Sequence, residues 1–155
     1  MWPDARLIQP VWHESGSNPD EYYAFTILRP AGPLSLKDLG SRTMKKGLFE
    51  HCPNPITLWI CQESRKHTLN HYMLMEHSQT TAGSFYFSPS RDVLFLTMDY
   101  TDDPYYSDQL EQFYKGQLNH IRTVLVLDRK WVDTIRKALF IFGGLEIIRT
   151  VSSWR

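Results

Sequence analysis

The sequence predicts an α+β protein (mixed α/β): a mixed β-sheet with packed helices, ending in a C-terminal parallel β-α-β unit. Three observations carry that expectation. Segments rich in β-branched and aromatic residues recur along the chain, among them "RLIQPVW" (6–12), "EYYAFTIL" (21–28) and "IRTVLVL" (121–127). An almost unbroken apolar run, "DVLFLTM" (92–98), suits a central strand covered on both faces. Near the end, a helical stripe lies between two strand-like segments, and such a crossover makes its flanking strands parallel.

Taken in order, the first two strands are joined by "HESGSNPD", a loop dense in turn formers. From about 30 to 54 the chain changes character. Pro30, Pro33 and Pro53 with Gly32, Gly40 and Gly47 predict a long irregular loop with one helical turn near Leu36, and a loop of that length in a compact domain is usually functional or mobile. Pro55 suits the first turn of a helix capped by Asn54 and running to about Tyr72. "YMLMEH" and "SFYFS" read as short strands ahead of the apolar run. "TDDPYYSD" is an acidic, aromatic turn in which Ser107 or Asp108 can cap the next helix; Leu110, Phe113, Gln117 and Leu118 follow at mostly helical spacing. In the last third, Asp128 caps a helix whose Trp131, Ile135, Ala138 and Phe142 recur every three or four residues. Gly143 and Gly144 stop it, and "LEIIRTVSS" is the closing strand.

The bulk numbers agree with one domain over residues 1–155 and a single core, with 42% hydrophobic and 22% charged residues. Seventeen basic residues balance seventeen acidic ones, so no global field draws the chain to nucleic acid or to an anionic membrane. No apolar run approaches the ~18 residues of a membrane span, and the N-terminus lacks the apolar core of a secretory signal. Cys52 and Cys61 make no disulfide framework, and Cys61 falls in a helical pattern as a small buried hydrophobe. A reducing compartment follows, cytoplasmic or nuclear.

The central segment, "ICQESRKHTLNHY" (60–72), mixes apolar residues, charge and two histidines. On one continuous helix, Leu58, Cys61, Arg65, Leu69 and Tyr72 share a face, being separated by three, four, four and three residues. Glu63, His67 and His71 lie on nearly the opposite side. Arg65 thus sits in an otherwise apolar stripe. Turned inward, it needs a carboxylate partner, for which Asp92 at the start of the apolar strand is the first candidate and Glu76 and Asp99 the next. Its loss would then cost several kcal/mol. Alternatively, Arg65 reaches the surface along its stem.

Together, "PITLWICQESRKHTLNHYMLM" and "FYFSPSRDVLFL" resemble the second signature of the fungal two-ExR domain family, in which a Cys-x-Glu-Ser-Arg helix precedes a strand opened by an aspartate. The resemblance marks Cys61, Glu63, Ser64, Arg65, Tyr72 and Asp92 as the structural motif. "WPDARLIQPVW" is similar to the family's early strand and "FGGLEIIRTV" to its closing strand. The family's first signature, an F-box-like helix ahead of the first strand, is expected to be absent, because Met1 falls where that helix should end. The resemblance implies no catalytic activity, since the family is known mainly as a domain of unknown function.

Chemistry-bearing patterns are sparse. Glu63, His67 and His71 stand on successive turns, but the HExxH spacing of a zinc hydrolase is absent, and residues at i, i+4 and i+8 drift around a helix. His51 beside Cys52 is a poor nucleophile and base pair, because those groups usually meet from separate elements. Asp99, Asp102 and Asp103 lack the glycine and closing glutamate of an EF-hand loop. Neither a nucleophile elbow nor a phosphate-binding glycine loop is present. No catalytic residue, metal or cofactor is therefore assigned. The expectation is a non-catalytic protein-interaction or adaptor-type domain, with Tyr100, Tyr105 and Tyr106 in its contact surface, since tyrosine favours interfaces. The alternative is a metal- or cysteine-dependent hydrolase using the central histidines. Apolar surface left by a missing first helix would favour a homodimer.

Overall fold

The computed structural model describes residues 5–15, 23–33, 54–97, 100, 103–128 and 139–152. Strands β1 (Arg6–Ser15) and β2 (Tyr23–Pro33) form an antiparallel pair. Two short helices follow, α1 (Thr57–Ile60) and α2 (Gln62–Leu69). Next come β3 (Met73–Met75), β4 (Phe85–Phe87) and β5 (Val93–Leu96). Helix α3 (Pro104–Tyr114) runs into a 3-10 turn (Lys115–His120), and β6 (Thr123–Asp128) and β7 (Ile147–Ser152) close the chain.

The main sheet has the order β2-β1-β5-β6-β7. Its four strands from β1 to β7 run parallel, and β2 is antiparallel at the edge. β3 and β4 make a separate antiparallel pair. The α+β class is as the sequence predicts, including the parallel pairing of β6 with β7. All four residues of β5 are buried, in agreement with its unbroken apolar composition. One face of the sheet, through Ile8, Leu94, Leu96, Val124 and Val126, shares a core with Leu110, Phe113 and Tyr114 of α3 and with Met75, Phe85 and Phe87 of the small sheet.

Four expectations need correction. First, β2 continues to Pro33, so residues 30 to 33 of the expected loop are strand, while 34–53 lie outside the described residues. An edge strand tolerates proline because one side of its ladder needs no donor. Ala31 is the extra residue of a bulge, since Leu7 faces Gly32 and Ile8 faces Pro30. Second, Asn54 does not cap the helix. Its Oδ1 accepts the Tyr86 N–H at 3.0 Å, and the Ile56 N-cap of α1 has no side-chain hydrogen bond. Third, the single helix expected from Pro55 to Tyr72 breaks at Cys61, whose φ of −152° and ψ of 171° are extended. Fourth, the cap of α3 is Asp103, which accepts the Tyr105 N–H at 2.9 Å with Pro104 in the first turn. Ser107 instead lies inside that helix, donating to the Pro104 carbonyl at 2.8 Å.

Of the final predicted helix, residues 129–138 lie outside the described residues. The glycines after it do more than stop it. Gly143 N–H donates to Asn119 Oδ1 at 3.0 Å, and a Cβ on Gly144 would overlap the Asn119 carbonyl. The close approach to the 3-10 turn therefore requires glycine at 144.

Candidate functional site

The central motif divides into a buried node and an exposed surface. The node forms where parallel strands begin side by side: Arg6 opens β1 and Asp92 immediately precedes β5. Arg6 Nε donates to Asp92 Oδ1 at 3.1 Å and Nη2 to Oδ2 at 2.6 Å, a bidentate pair with both side chains buried. The carboxylate also accepts the Ser88 N–H at 2.8 Å and the Arg6 N–H at 3.3 Å. Nη2 donates in addition to the Tyr86 carbonyl, and the guanidinium lies 5.4 Å from the centre of the buried Tyr72 ring. Strand β1, the β4 end, the turn before β5 and the segment after α2 are thereby tied at one point.

Asp92 does meet an arginine, as the sequence suggests, but the partner is Arg6. Arg65 is exposed and takes no part. The reason is the break at Cys61. Once the helix restarts after an extended residue, the phase of α2 no longer continues that of α1. Thr68 turns inward in place of Arg65 and Leu69; its Oγ1 donates to the Ser64 carbonyl at 2.7 Å and lies 2.8 Å from Thr57 Oγ1. Arg6 could have been found from the sequence by one signal. Opposite charges opened two apolar strands, and parallel pairing sets such positions beside each other.

Cys61, Glu63 and Ser64 are brought together at the start of α2. Cys61 is an exposed free thiol, not a buried hydrophobe. Its Sγ accepts the Ser64 N–H at 3.4 Å and lies 3.0 Å from Ser64 Oγ. Ser64, by its hydroxyl first and its N–H second, holds the thiol below the usual cysteine range. The Glu63 carboxyl is lowered too, by its own N–H and then by Cys61. Glu63 is thus engaged at the N-terminal end of α2. His67 and His71 meet edge to face, with ring centres 5.5 Å apart. Among the described residues, no three His, Cys, Asp or Glu side chains gather to hold a metal. His51, Cys52, Asp99 and Asp102 lie outside those residues.

The tyrosine surface is also revised. Tyr100 is 3% exposed and belongs to the core, where burial, with Tyr114 and Tyr106 nearby, raises its phenol far above the usual tyrosine range. Tyr106 is half-buried, with its ring centre 5.2 Å from Tyr100 and 5.8 Å from Tyr105. Tyr105 alone of the three is well exposed, at 52%. The more apolar exposed surface lies at α1. Ile56, Trp59 and Ile60 are 72%, 74% and 64% exposed on the short turn of α1. Their i, i+3, i+4 spacing in "PITLWI" was the available signal.

No helix among the described residues is long and apolar enough to cross a membrane. Comparison with protein-family models, with curated proteins and with solved structures finds no match.

Proposed function

We propose that this chain is a non-catalytic protein-interaction domain of adaptor type, related to the fungal two-ExR domains that its central motif resembles. The observation that supports this reading is the turn of α1. Three large apolar side chains, Ile56 at its N-cap with Trp59 and Ile60 one turn on, face solvent while Leu58 between them is buried. Such a cluster is costly to leave wet, and tryptophan is prominent among residues that anchor protein interfaces. Exposed Arg65 and Lys66 on the following helix supply a polar rim. The partner is a protein, with a second copy of this chain as the first case to test. The exposed thiol of Cys61 fits a reducing setting, cytoplasmic or nuclear.

The test is a photo-crosslinking amino acid placed at Ile60 in cells, with the exposed Gln112 as control position and light-scattering mass measured on the purified protein. Discrete adducts from position 60, diminished at least tenfold by Trp59→Ser without a change in melting temperature, are expected. A doubled mass would identify the partner as another copy. Equal, diffuse labelling from positions 60 and 112 would defeat the proposal.

A further inference from the structure

His77 lies buried where the small sheet meets α3. Its ring stacks on Phe113, with centres 4.5 Å apart and planes at 26°, and meets Tyr114 edge-on at 5.3 Å. On its other side Gly83 approaches so closely that a Cβ there would stand 2.9 Å from the ring. The decisive contact is at Nδ1, which accepts the backbone N–H groups of both Gln79 and Thr80, each at 3.1 Å. An imidazole nitrogen that accepts two donors carries no proton of its own. The turn is therefore built around unprotonated Nδ1.

That turn is also a junction. Ser84 Oγ accepts the His77 N–H at 3.0 Å, and the Ser78 N–H donates to the Phe113 carbonyl at 3.1 Å. The Tyr114 hydroxyl donates to the Gly83 carbonyl at 2.6 Å and accepts the Leu28 N–H at 2.9 Å. Residues 77 to 84 thus connect the β3–β4 sheet, α3 and the edge strand β2.

We propose that His77 is an acid-sensitive latch holding the 77–84 turn closed against α3. A proton on Nδ1 would set a third N–H against those of Gln79 and Thr80, removing two hydrogen bonds and charging a ring packed between aromatic side chains. Among the described residues, the titratable groups beside it include Tyr114 on α3, whose hydroxyl is committed to Gly83 and Leu28, and Glu76, the exposed residue before it in the chain. The turn segment Thr81–Gly83 carries no charge. The closed form binds the neutral ring, so its stability is present at neutral pH and is lost as the pH falls. Opening would bare the Phe113 and Tyr114 faces and loosen the small sheet from the main one.

The experiment is an NMR titration of the histidine rings from pH 8 to 4, with amide exchange of Gln79 and Thr80 followed over the same range. His77 is expected to titrate below the ordinary histidine range. Protection of the two amides should fall by up to about tenfold per pH unit as the pH drops from the ordinary histidine range toward the His77 midpoint, once intrinsic exchange is removed. His77→Asn, whose side-chain oxygen can take the place of Nδ1, should keep the turn closed and abolish that fall. Titration of His77 within the ordinary histidine range, protection that stays level from that range down to the His77 midpoint, or an unchanged fall in His77→Asn would overturn the proposal. If His77→Asn does not fold, the unmutated protein's titration and exchange decide the question by themselves.

Discussion

Two arginines of this chain, Arg6 and Arg65, show how differently the same side chain is used. Arg6 is buried at the start of a strand, with a bidentate carboxylate, a carbonyl acceptor and an aromatic face around it. Arg65 stands in a motif that looks more specific, yet it is exposed. The difference is one of address. The start of β1 lies between β2 and β5, and its opening residue is folded into the structure. A short surface helix can turn its charge to water. A buried charge that has partners contributes little net stability in itself, but losing one partner strands the other in a poorly polar interior.

The sharpest way to break this comparison is Asp92→Ala. It leaves Arg6 buried without its carboxylate and removes the acceptor for the Ser88 N–H, so a loss of about 3–5 kcal/mol is expected. Chemical denaturation would measure it, and a midpoint near that of the unmutated protein would show that the node is dispensable. Arg65→Ala should shift stability by no more than about 0.5 kcal/mol, as for ordinary surface positions. A loss comparable with that of Asp92→Ala would restore the inward arginine that the helical wheel suggested.

The smallest effect concerns the exposed side alone and leaves the fold intact. In a Cys52→Ser background, alkylation of Cys61 should rise at lower pH than for an ordinary thiol, because Ser64 favours the thiolate. Ser64→Ala should move that profile toward higher pH by removing the foremost cause of the lowered value. An unchanged profile would mean that the contact seen between the two side chains does not persist in solution.

Much of the architecture was legible from local pattern. The apolar run at 93–96 and the parallel closing unit rest on periodicity and composition, which act within a few residues. Asp92 was singled out differently, as the first candidate carboxylate for an inward-facing Arg65, and it is indeed buried and paired with an arginine. Its partner was not legible, because the Arg6–Asp92 contact spans 86 residues and depends on which strands become neighbours. The site suffered from a different limit. The wheel assumed an unbroken helix, whereas Cys61 adopts an extended conformation and its sulfur accepts the Ser64 N–H of the next helix. One interrupted residue moved Arg65 and Leu69 outward and Thr68 inward. It also left Cys61 in solvent.

From residues alone, then, come the class of the fold, the apolar strand at its centre and Asp92 as a candidate for burial against an arginine. These follow from the cost of wetting apolar surface and of burying an unpaired charge, which every local segment feels. It took the assembled chain to settle which arginine answers Asp92, that Tyr100 is core while Ile56, Trp59 and Ile60 are surface, and that His77 Nδ1 accepts two backbone N–H groups. Those outcomes depend on the order of strands in the sheet and on the phase of one restarted helix, and neither is encoded in any single stretch of residues.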